Sequence, residues 1–348
     1  MNHKIKVGLN GLGRIGRHIF KMCIDDPLIE LVGINEINPD LNNWAYTLNY
    51  DSIYGRSKYK STIEKEKIFC NNKHINTSIN KDIRNVPWDD WGVQIIIDSS
   101  GVLENTFLSK DLVNDKFKKK IIFTNSPKNV DFTMILGVNE QDYDSDNHHL
   151  ISSSICDATA IAPVSKIIDK LFKIKLGYVT TLHPWLSYQN LMDGPSSSWS
   201  VPGEVYHHFA LGRSAIGNMI PKPTSAMDAV FKVLPSITRN IGSFSYRTPT
   251  QIIGSADLSF LIEKSTNKEE IIKALIDFQN SQKYPILKLT NKPLVSMDYI
   301  GEKFSAIVDT RWLDVINSEL IKIVLWYDNE YGYCCNVINQ IKYINSLM

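Results

Sequence analysis

Short apolar runs mark the first 150 residues of the chain, and longer alternating runs mark the rest. Ile5-Lys6-Val7-Gly8-Leu9-Asn10 reads as a buried strand, Ile15 to Cys23 carries apolar residues at helical spacing, and Ile29 to Ile34 reads as a second strand closed by Asn35-Glu36. This is a βαβ unit. Val93 to Asp98 and Lys120 to Phe123 are further short apolar runs, suited to a parallel sheet covered on both faces. After Ser153, the stretch Ile161 to Leu171 has helical spacing. Alternating segments follow at Gly177 to His183, Ser243 to Arg247, Ser255 to Glu263, Ser305 to Asp309 and Ile321 to Tyr327. They suit a mostly antiparallel sheet with helices on one face. The expected architecture is an α/β Rossmann dinucleotide-binding domain over 1–153 and an α+β catalytic domain over 154–333, the latter interrupted by a Gly-, Pro- and Ser-rich loop, Asp193 to Gly212.

A length of 348 residues agrees with two cores. The balance of 38 basic and 37 acidic residues, net +1, gives no electrostatic case for nucleic acid or an anionic membrane as partner. The local runs Lys58 to Lys67 and Lys116 to Lys120 read as solvated faces. Five cysteines, odd in number and without C-x-x-C spacing, argue against a disulfide framework and against a zinc site, so a reducing compartment is expected and no metal is assigned. No apolar run approaches the ~20 residues of a membrane span, and the expected location is cytoplasmic.

Two chemical features change the picture. Gly11-Leu12-Gly13-Arg14-Ile15-Gly16 is G-x-G-x-x-G between a strand and a helix, where glycines allow a tight turn and let backbone N–H groups reach a pyrophosphate. Glu36, 20 residues beyond Gly16, accepts from ribose hydroxyls and repels a 2′-phosphate, so NAD is expected over NADP. The second feature is Cys156, placed at a helix N-terminus where the helix dipole favours a thiolate near neutral pH. His183 follows 27 residues later at a strand end, within reach of a returning chain. A hydride-accepting cofactor and a thiolate that attacks a carbonyl together imply aldehyde oxidation through a thioester.

With these residues placed, the chain resembles the glyceraldehyde-3-phosphate dehydrogenase family over nearly its full length, and it is also similar to erythrose-4-phosphate dehydrogenase. The motifs are Lys6 to Arg17, Tyr50-Asp51-Ser52-Ile53-Tyr54-Gly55-Arg56, Thr180-Thr181-Leu182-His183, Lys232-Val233-Leu234-Pro235, Tyr246-Arg247-Thr248-Pro249-Thr250 and Tyr327-Asp328-Asn329-Glu330-Tyr331-Gly332-Tyr333. The resemblance implies Cys156 as nucleophile, His183 as its base and oxyanion partner, and Asn329 on the nicotinamide carboxamide. It also puts Arg14 and Ile15 at the pyrophosphate and the substituted positions Lys81 and Asn125 against the dinucleotide. A homotetramer is implied, as is a final helix, 334–348, that returns to the first domain.

The departures concern substrate and acceptor. The family's Ser-Cys-Thr-Thr-Asn-Cys reads Ile155-Cys156-Asp157-Ala158-Thr159-Ala160 here, so an apolar and an acidic residue replace two hydroxyls that help bind attacking phosphate. An ionised Asp157 would repel phosphate and raise the thiol pKa, whereas a carboxylate turned away would merely suit the helix N-terminus. Leu186 stands where a phosphate-binding threonine is usual, and Pro223-Thr224-Ser225 keeps one hydroxyl of a Ser-Thr-Gly loop. Thr224, Arg213 and Arg247 remain as substrate-binding candidates beside Asp157, with Arg247 suited to a bidentate phosphate or carboxylate contact. The inserted Ser200 to Phe209, which carries His207 and His208, is expected to reshape the pocket without holding a metal. The function expected is NAD-dependent oxidation of a phosphorylated or sugar-derived small-molecule aldehyde, with phosphate or water discharging the thioester. A reductase and a catalytically silent NAD-binding paralogue are the alternatives.

Overall fold

In the computed structural model, which describes residues 4–113, 119–196, 208–237 and 240–348, the chain divides into two compact units. One comprises residues 1–134, 141–154 and 337–348, and the other 135–140 and 155–336. The Ser200–His207 part of the insertion and Lys116–Lys118 of the second basic run lie outside the described residues.

The first unit is built on strand Ile5–Asn10, whose side chains are buried except at Lys6. Such a strand needs a neighbour on each side. It has Ile29–Asn35 on one and Ile95–Asp98 on the other, both parallel. The sheet extends to nine strands in the order 132–133, 150–152, 120–123, 95–98, 5–10, 29–35, 73–78, 67–70, 61–64, and only the last two joins are antiparallel. Those outer strands belong to two hairpins that alternation alone did not reveal. Their two-residue turns, Lys65-Glu66 and Asn71-Asn72, have positive φ at both positions, as type I′ turns require, and Lys-Glu lacks the Asn-Gly signature of such turns. The final helix runs Tyr331–Asn345. From Val337 onward it belongs to this unit, where Gln340 Nε2 donates to Met134 O at 2.9 Å and Lys342 pairs with Asp26 at 2.5 Å.

Two glycines opposite each other in the central strands, Gly8 and Gly33, leave room for two tryptophans. A Cβ on Gly8 would meet the Trp88 ring at 2.5 Å, and one on Gly33 would meet Trp91 at 2.0 Å. The two indoles pack edge to face with centroids 5.6 Å apart, and Trp88 is fully buried with its Nε1–H on Ile83 O at 2.9 Å.

The second unit holds an eight-stranded sheet ordered 220–222, 241–248, 174–184, 254–262, 320–327, 306–309, 287–290, with 314–316 also on 320–327. All pairings but two are antiparallel, the exceptions being 174–184 with 241–248 and 287–290 with 306–309. The expected division into a Rossmann-type sheet and a mostly antiparallel one is therefore present. Helix Cys156–Phe172 covers this sheet with Ala158, Ile161, Val164 and Ile168, none measurably exposed. Each of the isoleucine and valine side chains contributes roughly 1.5–3 kcal/mol on burial. Among the described residues no helix is long and apolar enough to cross a membrane.

The tryptophan–glycine packing gives a stability prediction. Trp88→Ala should cost about 3–5 kcal/mol, and Gly33→Ala, by overpacking against Trp91, about 1–3 kcal/mol. Urea unfolding followed by circular dichroism reads both, and unchanged midpoints would contradict the packing described.

Candidate functional site

In the first unit, a candidate dinucleotide site grows from the carboxyl ends of the central parallel strands. Asn35 Nδ2 donates to Asn10 Oδ1 at 2.7 Å, and Asn10 Nδ2 donates to Asp98 Oδ1 at 3.0 Å, so one buried chain of hydrogen bonds crosses the last residues of three strands. Ser100 and Asn105 complete the Asp98 shell. This network anchors the loop that follows Asn10. Gly11 has φ +92°, and a Cβ there would strike Ser100 backbone at 2.7 Å. A Cβ on Gly16 would lie 2.1 Å from Gly11 O, whereas one on Gly13 would meet nothing within 4 Å. Two glycines therefore close the turn, and the middle one leaves open space.

That space fits a dinucleotide pyrophosphate. Helix Arg14–Asp25 begins beside it with Gly13 as N-cap, no side-chain cap and no acidic residue in the first turn, so its positive end can meet an anion. Glu36 lies at the end of the second strand, where its carboxylate accepts from Leu12 N at 2.6 Å and Asn38 N at 3.2 Å. The carboxylate thereby ties the loop to the strand. The Arg14 side chain pairs with Asp51 at 3.1 Å. Burial pushes the Asp51 carboxyl up, but the N–H groups of Tyr54 and Ile53 and the Arg14 guanidinium prevail and hold it at about 2. Asn125 Oδ1 is buried with no partner, an acceptor that suits a ligand amide or hydroxyl. Lys81 is exposed.

In the second unit, a chemical site is set by sheet register. Parallel pairing puts His183 opposite Arg247, and antiparallel pairing puts Tyr327 opposite Gly254, so all four residues share one end of the sheet. Helix Cys156–Phe172 starts at this end, and Cys156 Sγ lies 3.5 Å from His183 Nε2 and 3.5 Å from Asp157 Oδ1. Asp157 Oδ1 also accepts from the Tyr327 hydroxyl at 2.8 Å and lies 4.0 Å from His183 Nε2. The carboxylate therefore faces the sulfur, not solvent. Tyr327 reaches it because Gly254 has no side chain: a Cβ there would sit 2.4 Å from the tyrosine ring.

Far from the sulfur, His183 Nδ1 is 2.8 Å from Pro184 O and 2.5 Å from Arg247 Nη1. The carbonyl takes a proton on Nδ1, and the guanidinium requires a lone pair there. Each neutral tautomer of the ring thus has a partner. Arg247 Nη1 also donates to Pro184 O at 3.1 Å, and Nη2 to the Tyr188 hydroxyl at 3.3 Å. Three of its five N–H groups are thus engaged, two on Nη1 and one on Nη2, and the buried Nε–H on the edge shared with Nη2 has no partner among the described residues.

These neighbours set the protonation states. Burial, then the Asp157 charge and its hydrogen bond, push the Cys156 thiol well up, against the Asp157 N–H and Arg247. Burial pushes the His183 imidazole down, Asp157 opposes this, and Arg247 adds to it. The pair at neutral pH is thiol and neutral imidazole. The expectation of a thiolate from the helix N-terminus alone is corrected, since dehydration and an adjacent carboxylate outweigh the dipole. Lys222 is pushed down to about 8, by burial and Arg247 against Asp157.

Other candidates lie elsewhere or act locally. Arg213 is exposed and pairs with Asp193 at 2.7 Å. Thr224 Oγ1 accepts from Ala226 N at 3.2 Å, at the start of helix Ala226–Val233. Asn329 Oδ1 accepts from Ile253 N at 2.9 Å, which fixes its amide in place. Tyr327, Tyr188 and Lys222 escaped the sequence reading. Tyr327 opens a motif that stood out, but its tie to Asp157 spans 170 residues, and nothing local marks Lys222.

Two outcomes follow from these charges. Asp157→Asn removes two influences that raise the thiol pKa, so iodoacetamide alkylation of Cys156 should accelerate at neutral pH and its pH profile should move to lower pH; an unmoved profile would contradict the coupling. Catalytic efficiency with NADP should fall below that with NAD by at least about tenfold, from like charge at Glu36, and Glu36→Ser should narrow the gap.

Comparison with known proteins agrees with the reading of both units. The family model described as glyceraldehyde 3-phosphate dehydrogenase, NAD binding domain, matches residues 5–106, and that described as glyceraldehyde 3-phosphate dehydrogenase, C-terminal domain, matches residues 155–329. The chain is 34% identical to glyceraldehyde-3-phosphate dehydrogenase of Geobacillus stearothermophilus over 343 residues, 98% of each chain. It is 32% identical to glyceraldehyde-3-phosphate dehydrogenase 1 of Bacillus subtilis (strain 168), again over 98% of each. It is also 32% identical to glyceraldehyde-3-phosphate dehydrogenase 3 of Saccharomyces cerevisiae, over 98% of this chain and 99% of that one. With the glycine loop, the acidic strand end and the thiol–imidazole contact in one sequence, the chain belongs to the glyceraldehyde-3-phosphate dehydrogenase family and is an NAD-dependent dehydrogenase of that type.

Proposed function

We propose that the protein oxidises a phosphorylated or sugar-derived aldehyde through a thioester on Cys156, and that Asp157 turns discharge of that thioester away from inorganic phosphate. The observation that carries this reading is the 3.5 Å contact of Sγ with His183 Nε2, beside a carboxylate 3.5 Å from the same sulfur.

His183 Nε2 takes the thiol proton as Sγ bonds to the carbonyl carbon, and the protonated ring then faces the oxygen of the hemithioacetal. Bound NAD supplies the acceptor for the hydride that leaves this carbon. Arg247 favours the return of the proton, because its charge lies against the same ring at Nδ1. The unpartnered Arg247 Nε offers a charged donor to a phosphate or carboxylate of the substrate. Glyceraldehyde 3-phosphate, the substrate in the relatives' name, and a longer aldose phosphate both meet that description.

A specific observation favours water as the acyl acceptor. Asp157 is held toward the sulfur by Tyr327, and a carboxylate there repels a dianion while it accepts a hydrogen bond from water. Water attack would release a carboxylic acid and return the sulfur, with its proton, to the resting thiol.

NADH formation with glyceraldehyde 3-phosphate and erythrose 4-phosphate, each with and without inorganic phosphate, tests this reading. Turnover without phosphate is expected, with phosphate stimulation weaker in the wild type than in Asp157→Thr. His183→Asn should lower kcat by about 10²- to 10⁴-fold, and Cys156→Ser should abolish oxidation. A strict phosphate requirement in the wild type would overturn the role of Asp157. Retained turnover in Cys156→Ser would favour a reductase, and no turnover with any aldehyde would favour the silent paralogue.

A further inference from the structure

Cys156, Asp157 and His183 bring one sulfur, one oxygen and one nitrogen within 4.8 Å of one another, the group among the described residues with the donor set of a metal site. The three separations are Sγ to Nε2 3.5 Å, Sγ to Oδ1 3.5 Å and Nε2 to Oδ1 4.0 Å. A tetrahedral zinc ion with bonds of about 2.3 Å to sulfur and about 2.0–2.1 Å to nitrogen and oxygen requires edges of about 3.5 Å to sulfur and about 3.3–3.4 Å between nitrogen and oxygen. The two edges to sulfur already match, and the third, at 4.0 Å, must shorten by about 0.6 Å. We propose that these three side chains form a zinc-binding site with its fourth position open, a site created by the aspartate that replaces the family's usual threonine.

The chemistry of the donors selects the ion. A thiolate and an imidazole suit zinc and exclude calcium and magnesium, which take oxygen ligands. Two of the ligands are also held from behind. His183 Nδ1 is 2.8 Å from Pro184 O and 2.5 Å from Arg247 Nη1, and a proton on Nδ1 directed to the carbonyl is the tautomer that leaves the Nε2 lone pair for a metal, while Asp157 Oδ1 is oriented by the Tyr327 hydroxyl at 2.8 Å. Arg247 and Lys222 oppose a cation here, yet Arg247 touches the far side of the ring, and the thiolate and carboxylate together neutralise the ion. Binding replaces the thiol proton, which leaves to the buffer, with a sulfur–zinc bond. Cysteine spacing hid this site, because its ligands are an adjacent pair on one helix and a histidine on a strand.

Zinc at this position occupies the sulfur that the aldehyde needs, so it acts as a reversible brake. Only that consequence rests on the function proposed above. The binding itself is tested without substrate, by titrating the full-length protein with Co²⁺ and following sulfur-to-cobalt charge-transfer absorption, then displacing it with Zn²⁺. One equivalent should bind, the band should vanish in Cys156→Ala, and Asp157→Thr should bind at least about tenfold more weakly while Cys156 remains open to iodoacetamide. Absence of the band in the wild type, or equal affinity in Asp157→Thr, would overturn the site. Stoichiometric binding without inhibition of aldehyde oxidation would leave the site standing and overturn the chemistry assigned to Cys156.

Discussion

The register of the antiparallel sheet is the constraint from which the chemical site follows. Strand 174–184 lies between 241–248 and 254–262, and pairing carries His183 to Arg247 and, one strand further, Gly254 to Tyr327. A slip of one residue in any of these pairings would turn the side chain to the opposite face. The helix that begins at Cys156 needs only to start at that end of the sheet for sulfur, imidazole, carboxylate and phenol to meet. Gly254 then decides whether the phenol reaches, since any side chain there would displace the Tyr327 ring.

From this geometry comes a site whose resting state is set more by dehydration than by the helix dipole. A thiol raised by burial and by a neighbouring carboxylate, facing an imidazole lowered by burial, stays neutral until something enters. An aspartate at position 157 thus adds negative charge beside the sulfur and makes its ionisation costlier.

Much of this was legible in the chain. The βαβ unit and its glycine loop were readable because burial period and glycine geometry are local, and Cys156 and His183 stood out because each occupies a recognisable motif. The Lys65-Glu66 hairpin was hidden by a charged turn that lacks the usual residues. The direction of the Asp157 side chain was hidden for another reason: it depends on a hydroxyl far away in sequence and on the absence of a side chain at Gly254. Arg213, a substrate-binding candidate in the sequence, is paired with Asp193 at the surface. Arg247 stands beside His183, where Nη1 is engaged by His183 and Pro184 and one N–H of Nη2 by Tyr188.

Under the proposed function, the Asp157 carboxylate beside the Cys156 sulfur governs what discharges the acyl group. The lifetime of that acyl group is the quantity to measure, by mixing enzyme, NAD and aldehyde, quenching at intervals and reading the acyl mass on Cys156 by intact-protein mass spectrometry. Decay in water alone, little changed by inorganic phosphate and slowed in Asp157→Asn, is the predicted result. An acyl-enzyme that persists in water and collapses only when phosphate is added would contradict it.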